Sequence, residues 1–461
     1  MTLIKSISGI RGTIGGAVDN GLTPIDAVKF AAAYGTWLQQ QYPGKRLKVV
    51  IGRDARISGP MIASLVQQTL VGLGIDIIDL GLSTTPTVEI AVPMEGAQGG
   101  IILTASHNPK QWNALKLLNS KGEFISGAEG EALLQIAADE AFNFAEVDDL
   151  GKITPNNTYL DQHINAILNL PLVDAKAIAA AQFKVVVDAV NSTGGTFVPA
   201  LLRALGVVEI EELYCEPTGH FPHNPEPLPE HLTELSSLVQ TKGAHLGITV
   251  DPDVDRLALV CEDGSMFGEE YTLVAVADYI LTHTPGPTVS NLSSTRALRD
   301  ITEMRGLRYE AAAVGEVNVV LKMKEIGAVI GGEGNGGIIY PELHYGRDSL
   351  VGIALFLSHL AHKKLSMTVL RASYPNYVIS KNKIDLAPTT NVDELLVLMA
   401  KKYEAFEVDT TDGLKIYIDK EWVHLRKSNT EPIIRIYAES ASEEKASALA
   451  LRIIEEINSF V

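Results

Sequence analysis

The chain is 461 residues long, 46% hydrophobic and 20% charged, which excludes disorder and a single hydrophobic core and calls for three or four domains of about 100 to 150 residues. Its 38 Lys plus Arg against 56 Asp plus Glu leave a formal charge of −18. That charge repels nucleic acid and anionic membrane alike, so any bound phosphate must be held by local, concentrated basic groups.

Two cysteines outside any CxxC pattern (Cys215 and Cys261), an opening "MTLIKSISGIRG" without an apolar signal core, and no apolar run of about 18 residues give the expectation of a cytoplasmic protein with no membrane partner. The stretch "LKVVIGRDARISGPMIASLVQQTLVGLGIDIIDLGLSTTP" (47–86) reads as a strand, a polar loop, an amphipathic helix ending at glycine and a second strand. "FKVVVDAVNSTGGTFVPALLRALGVVEIEELYCEP" (183–217) repeats that order, and "PTVSNLSSTRALRDITEMRGLRYEAAAVGEV" (287–317) repeats it more loosely. Each unit is followed by one further apolar strand that runs into an unusual loop: "GGIILTASHNP", "HLGITVDPDVDR" and "AVIGGEGNGG". Such repetition predicts three α/β domains with mixed, mostly parallel sheets covered by helices. Ligands gather at the carboxyl ends of strands in such sheets, so three equivalent loops predict one central cleft. The tail (410–457) alternates apolar and polar residues as hairpin strands do and closes with an amphipathic helix, a C-terminal α+β domain beginning near 370.

In "DPDVDR", Asp251, Asp253 and Asp255 stand two apart, so an extended backbone points them the same way as hard oxygen ligands that need a cation. Glu262 falls at the twelfth position of a calcium loop, but Arg256 holds the glycine position and "ALV" continues as a strand; Mg²⁺, which takes few protein oxygens plus a phosphate oxygen, fits better. Ser106 in "TASHNP" lacks the glycines of a nucleophile elbow, and no partner histidine and acid are identifiable, which sets acyl transfer aside. A serine that carries a phosphoryl group needs charge neutralisation and positioning more than a strong base, and the aspartate loop supplies them. His107 reads as its orienting or electrostatic neighbour.

"GGEGNGG" offers Glu333 and Asn335 on a glycine turn, a carboxylate and an amide suited to vicinal sugar hydroxyls, and it lacks the dinucleotide-binding glycine pattern. "RKSNTEPIIR" concentrates Arg426, Ser428, Asn429, Thr430 and Arg435, the composition of a phosphate cradle. A phosphate held there, away from the metal, implies a substrate with one reacting and one anchored end.

Together, in this order and over the whole chain, these four motifs resemble those of the α-D-phosphohexomutase family. The resemblance implies four domains around a central cleft, drawn at 1–155, 156–258, 259–370 and 371–461, carrying in turn the phosphoserine, metal, sugar and phosphate loops. It makes Ser106 the phosphoserine, Ser106, Asp251, Asp253 and Asp255 the Mg²⁺ ligands, Glu333 and Asn335 the sugar contacts, and Arg426, Ser428, Asn429, Thr430 and Arg435 the phosphate clamp. "SGIRGTIGG" is similar to the family's N-terminal segment, which puts Arg11 beside the phosphoserine. Lys116 in "NALK" matches a lysine of acid/base and electrostatic work, and Arg256 is turned toward the phosphoryl group. Several relatives have histidine where this chain has Gly337, leaving His344 as a candidate replacement.

The reaction implied is donation from phospho-Ser106 to a hexose 1-phosphate, end-for-end turning of the hexose 1,6-bisphosphate, and return of the other phosphate. The loop pattern is most similar to archaeal-type phosphoglucosamine mutases, so the expected reaction converts glucosamine 6-phosphate to glucosamine 1-phosphate. Mutation of mannose or glucose phosphate is the alternative, with a sugar phosphatase behind it. The expected partner is a small sugar phosphate, bound by a monomer or homodimer.

Overall fold

The structure, a computed structural model, describes residues 2–6, 9–387, 391–427 and 433–460. Two compact units divide it: Met1–Thr272 with Gly336–Thr368, and Leu273–Asn335 with Val369–Val461.

In the first unit the chain begins with strands β1 (Ile4–Ser6) and β2 (Gly9–Thr13), followed by helix α1 (Pro24–Gln41). Helix α1 starts where the Thr23 side chain accepts from the Asp26 backbone while Asp26 accepts from Thr23, with Pro24 in the first turn. Then come β3 (Lys48–Arg53), α2 (Gly59–Gly72), β4 (Asp76–Leu82), α3 (Thr85–Met94), β5 (Gly99–Leu103), β6 (Trp112–Leu118), α4 (Gly127–Asp139) and β7 (Ile153–Pro155). The seven strands form one sheet, ordered β1-β2-β6-β5-β3-β4-β7. All five residues of β5, "GGIIL", are buried, because helices cover both faces and leave no reason for polar alternation. Its glycines admit close neighbours: a Cβ on Gly99 would lie 2.0 Å from the Tyr34 hydroxyl, which donates to the Leu118 carbonyl at 2.7 Å.

The second repeat follows α5 (Tyr159–Leu168) and α6 (Ala175–Ala181) and consists of β8 (Lys184–Asp188), α7 (Gly194–Ala204), β9 (Glu209–Leu213), α8 (Thr233–Lys242), β10 (Leu246–Val250) and β11 (Leu257–Cys261), ordered β11-β10-β8-β9. Helix α9 (Glu269–His283) leads to the third repeat: β12 (Thr288–Asn291), α10 (Arg296–Glu303), β13 (Tyr309–Ala312), α11 (Glu316–Ile326) and β14 (Ile330–Glu333).

All three repeats share one plan. The first strand lies between the other two and runs parallel to both, as β5-β3-β4, β10-β8-β9 and β14-β12-β13. The special loops leave the carboxyl end of the third strand each time. In the first two repeats the chain then returns antiparallel, as β6 beside β5 and β11 beside β10.

The chain re-enters the first unit with β15 (Gly337–Ile339) and α12 (Ser349–Lys363), of which Ser349 to Ala361 are buried without interruption. Asp348 caps α12 by accepting from the Leu350 and Val351 backbones, and its other oxygen lies 2.9 Å from Nε2 of His163, both side chains fully buried. Burial pushes the Asp348 carboxyl up, but the His163 and His344 imidazoles outweigh it and hold it below the usual range.

After α13 (Met367–Ala372) the second unit is completed by β16 (Val378–Asp385), α14 (Val392–Lys402), β17 (Glu407–Asp409), β18 (Leu414–Ile418), β19 (Glu421–Lys427), β20 (Ile433–Ser440) and α15 (Glu443–Asn458). Its antiparallel sheet runs β16-β20-β19-β18-β17, and Ile416, Val423, Leu425, Ile434 and Ile436 pack there with Leu395, Met399, Leu449 and Ile453 of α14 and α15. Among the described residues no helix is long and apolar enough to cross a membrane.

Candidate active site

Ser106 lies in the loop between β5 and β6 with φ +48°, the left-handed region that costs a non-glycine residue on the order of 1 kcal/mol. Its N–H donates to Thr104 Oγ1 at 2.9 Å, and the Asn108 N–H closes the turn on the Ala105 carbonyl at 3.0 Å. The strained backbone aims the side chain at the equivalent loop of the second repeat. Ser106 Oγ donates to Asp251 Oδ2 at 2.6 Å and lies 3.3 Å from His107 Nδ1.

That second loop is a tight turn, held by the Val254 N–H on the Asp251 carbonyl (3.1 Å) and by Asp251 Oδ1 accepting the Asp255 and Arg256 N–H groups (3.1 Å each). Val254 takes φ +64°, unusual for a β-branched residue. The turn gathers Asp251, Asp253 and Asp255, all fully buried, so that one oxygen of each lies within 4.8 Å of the others.

Lys116 on β6 donates to Asp253 Oδ2 at 2.7 Å and to Asp255 Oδ2 at 3.3 Å. Thr85, in the first turn of α3, donates to Asp253 Oδ2 at 2.5 Å, and Arg347 donates to Asp255 Oδ2 at 2.8 Å. The opposite oxygens, Asp253 Oδ1 and Asp255 Oδ1, are buried with no hydrogen-bond partner.

Two orphaned carboxylate oxygens next to a third carboxylate are what a hard divalent cation satisfies. Burial, and then repulsion from Asp253 and Asp255, push the Asp251 carboxyl well above its usual range, so the triad favours losing charge unless a cation joins it. Burial works to lower the Lys116 ammonium, but Asp253 and Asp255 outweigh it and keep Lys116 charged. Burial and then the positive field of Arg256 push His107 down to about 2, leaving a neutral imidazole. Arg11 on β2 donates to Asn108 Oδ1 at 3.1 Å, and Arg256 donates to Glu226 Oε1 at 3.3 Å, with its Nε buried and unpartnered. Ser106, His107, Arg11, Lys116, Arg256 and the three aspartates therefore converge within the first unit. His344 lies apart, 3.4 Å from Glu89 and 3.3 Å from Asp348.

The sugar and phosphate candidates belong to the second unit. Glu333, at the end of β14, is buried and accepts from Asn291 Nδ2 at 2.9 Å and from the Gly315 N–H at 3.1 Å; Asn335 follows it on the same turn. Arg426 on β19 stands directly across from Arg435 on β20. Two guanidinium groups facing each other across a strand pair are unfavourable without an anion, and among the described residues Arg426 has a carboxylate within reach, Asp412 at 2.9 Å. Ser428, Asn429 and Thr430 lie outside the described residues.

Sequence reasoning missed Arg347 and Thr85. Neither carries a local signal: each meets the aspartate loop only because α3 and the segment before α12 pack beside it.

Family models described as the phosphoglucomutase/phosphomannomutase α/β/α domains I, II and III match residues 3–144, 161–264 and 268–377, and the model of the C-terminal domain matches 381–456. The chain is 34% identical to a phosphoglucomutase/phosphomannomutase of Thermococcus kodakarensis, over 96% of this chain and 98% of the relative. It is 32% identical to a probable phosphoglucosamine mutase of Methanopyrus kandleri, over 96% and 95%. A crystal structure of a phosphoglucomutase/phosphomannomutase family protein from Burkholderia thailandensis superposes with a TM-score of 0.84 at 27% identity, covering 100% of this chain and 97% of that one.

Proposed function

The chain belongs to the phosphoglucomutase/phosphomannomutase family and is a phosphomutase of the isomerase class, and from that premise we propose that it interconverts glucosamine 6-phosphate and glucosamine 1-phosphate through a phosphorylated Ser106 and a hexose 1,6-bisphosphate. The observation that carries the reading is Ser106 Oγ at 2.6 Å from Asp251, in a buried triad with two unpartnered carboxylate oxygens. A Mg²⁺ ion held by Asp251, Asp253, Asp255 and phospho-Ser106 would neutralise charge on the transferring phosphoryl group.

The chain's own groups do the rest. The left-handed backbone at Ser106 presents Oγ clear of its strand. Charged Lys116 balances Asp253 and Asp255 and stands ready to neutralise negative charge on the serine oxygen as the phosphoryl group departs. Arg11 and Arg256 add positive charge, and neutral His107 lies 3.3 Å from the serine oxygen without adding to that charge. Glu333 and Asn335 contact sugar hydroxyls, and Arg426 and Arg435, with Ser428, Asn429 and Thr430, hold the phosphate that is not reacting. Arginine forks can be released and remade, so this clamp accepts either phosphate after the bisphosphate turns.

Domain limits near 155, 258 and 370 assign one of these loops to each domain. The name of the Methanopyrus relative supports the amino sugar; that of the Thermococcus relative supports glucose or mannose phosphate as the second reading.

Phosphorus NMR of the protein with Mg²⁺ and a trace of hexose bisphosphate, offered glucosamine, glucose and mannose phosphates separately, tests both. Fastest interconversion of glucosamine phosphate is expected. Equal or faster turnover of glucose or mannose phosphate establishes the second reading, and inorganic phosphate as the main product turns the protein into a phosphatase.

A further inference from the structure

Arg56, in the loop between β3 and α2, has a side chain with no exposure at all. Its guanidinium uses all five donors. Nε donates to Asp54 Oδ2 at 3.0 Å; Nη1 donates to the carbonyls of Pro109 (2.8 Å) and Trp112 (3.0 Å); Nη2 donates to those of Ser106 (2.5 Å) and Asn108 (2.6 Å). Four of these five bonds end on backbone carbonyls, three in the loop that carries Ser106 and the fourth on Trp112, the first residue of β6 after it. Asp54 is itself anchored, accepting from the Arg56 N–H at 2.9 Å and from Thr104 Oγ1 at 2.7 Å, and Thr104 Oγ1 accepts the Ser106 N–H. The Phe221 ring, from the loop between β9 and α8, lies 5.1 Å from the guanidinium carbon.

Buried carbonyls demand partners, and here a single planar fork supplies four of them. Arg56 is paired with Asp54 and closed off from solvent, so it touches no substrate. We propose that Arg56 is the positioning residue of the phosphoryl-transfer step: by gripping the carbonyls of Ser106, Asn108, Pro109 and Trp112 it holds Ser106 in its left-handed conformation and so fixes where Oγ points. Phe221 is the lid that keeps the fork in plane. This rests on Ser106 being the group that carries phosphate.

A lysine keeps the charge opposite Asp54 but has three tetrahedral donors on one nitrogen, which cannot serve four carbonyls spread along seven residues. An angstrom of drift at a reacting atom costs about 100-fold in rate. Substrate affinity is set elsewhere.

The experiment loads wild type, Arg56→Lys and Phe221→Leu with phosphate from labelled hexose 1,6-bisphosphate, then follows single-turnover transfer to hexose monophosphate alongside monophosphate affinity. Expected are transfer about 100-fold slower in Arg56→Lys and about 10-fold slower in Phe221→Leu, each with affinity within threefold of wild type. A folded Arg56→Lys protein that transfers at the wild-type rate, or loses rate and affinity equally, overturns the assignment. Should Arg56→Lys not fold, the same criteria applied to Phe221→Leu decide it. A wild type that takes no label at Ser106 overturns the mutase reading instead and is told apart by that.

Discussion

Ser106→Ala removes the oxygen that carries the phosphoryl group while leaving the aspartate loop in place. Steady-state assays with excess substrate are expected to show a loss of at least about 10³-fold. Lys116→Met deletes the only charge shared by Asp253 and Asp255 among the described contacts of those two residues with β6, and should lower kcat by about 10² to 10³-fold. It should also lower the midpoint of urea unfolding, because buried Asp253 loses the ammonium beside it, while Asp255 keeps Arg347. His107, neutral from about pH 2 upward, contributes no step near pH 6.5 to the rate profile. His107→Asn should therefore shift the height of that profile and not its shape, and a limb that vanishes with the histidine would refute its neutrality. Ser106 and the aspartates were legible because each motif is contiguous and its chemistry is written in a few residues. Arg347 and Thr85 were not, since what they touch is decided by packing between segments far apart in the chain.

The strand, helix, strand repeat was legible because β3 and β8 are built on apolar runs, "VVI" and "VVV", followed by amphipathic helices, the pattern of a sheet covered on both faces; β12, "TVSN", is buried but mostly polar, which is why the third repeat reads more loosely. The antiparallel returns were harder to read: "WNALKLL" places a lysine among apolar residues, and only the structure reveals β6, with Lys116 turned inward to the aspartates. In the α+β domain, β20 carries a buried carboxylate, Glu439, which accepts from Trp422 Nε1 at 2.6 Å and from the Arg296 N–H at 2.9 Å, its second oxygen unpartnered. Burial pushes Glu439 from its ordinary 4.5 up to about 7. The folded value exceeds the unfolded one, so the contribution to stability is complete in acid and is lost as pH rises through 7, on the order of 3 kcal/mol in all. Melting curves from pH 5 to 8 should show that decline, and Glu439→Gln should flatten it.

Across the molecule, the candidate metal site belongs wholly to the unit formed by 1–272 and 336–368. Mg²⁺ at a hundredfold excess over its dissociation constant is expected to stabilise that unit by about 2.7 kcal/mol. Calorimetry should show its transition rising with Mg²⁺ and falling back with a chelator, while the transition of the other unit stays put. Equal movement of both, or of neither, counts against the triad as the site. The four-domain plan could be read from repeats and motifs; the grouping into two units could not, because it depends on which helices share a core.

That grouping also bears on how the protein is made. The first unit lacks α12 until residue 363 has been synthesised, and α12 brings a stretch of thirteen consecutive buried residues, Ser349 to Ala361, together with Asp348, the partner of buried His163. At about 5 to 20 residues per second, the ribosome needs roughly 5 to 20 s to pass from Thr272 to Lys363. Throughout that interval the nascent chain carries an uncovered apolar face and a histidine with no carboxylate beside it. The serine loop and its aspartates have long since emerged, yet the unit that holds them must wait for its last helix.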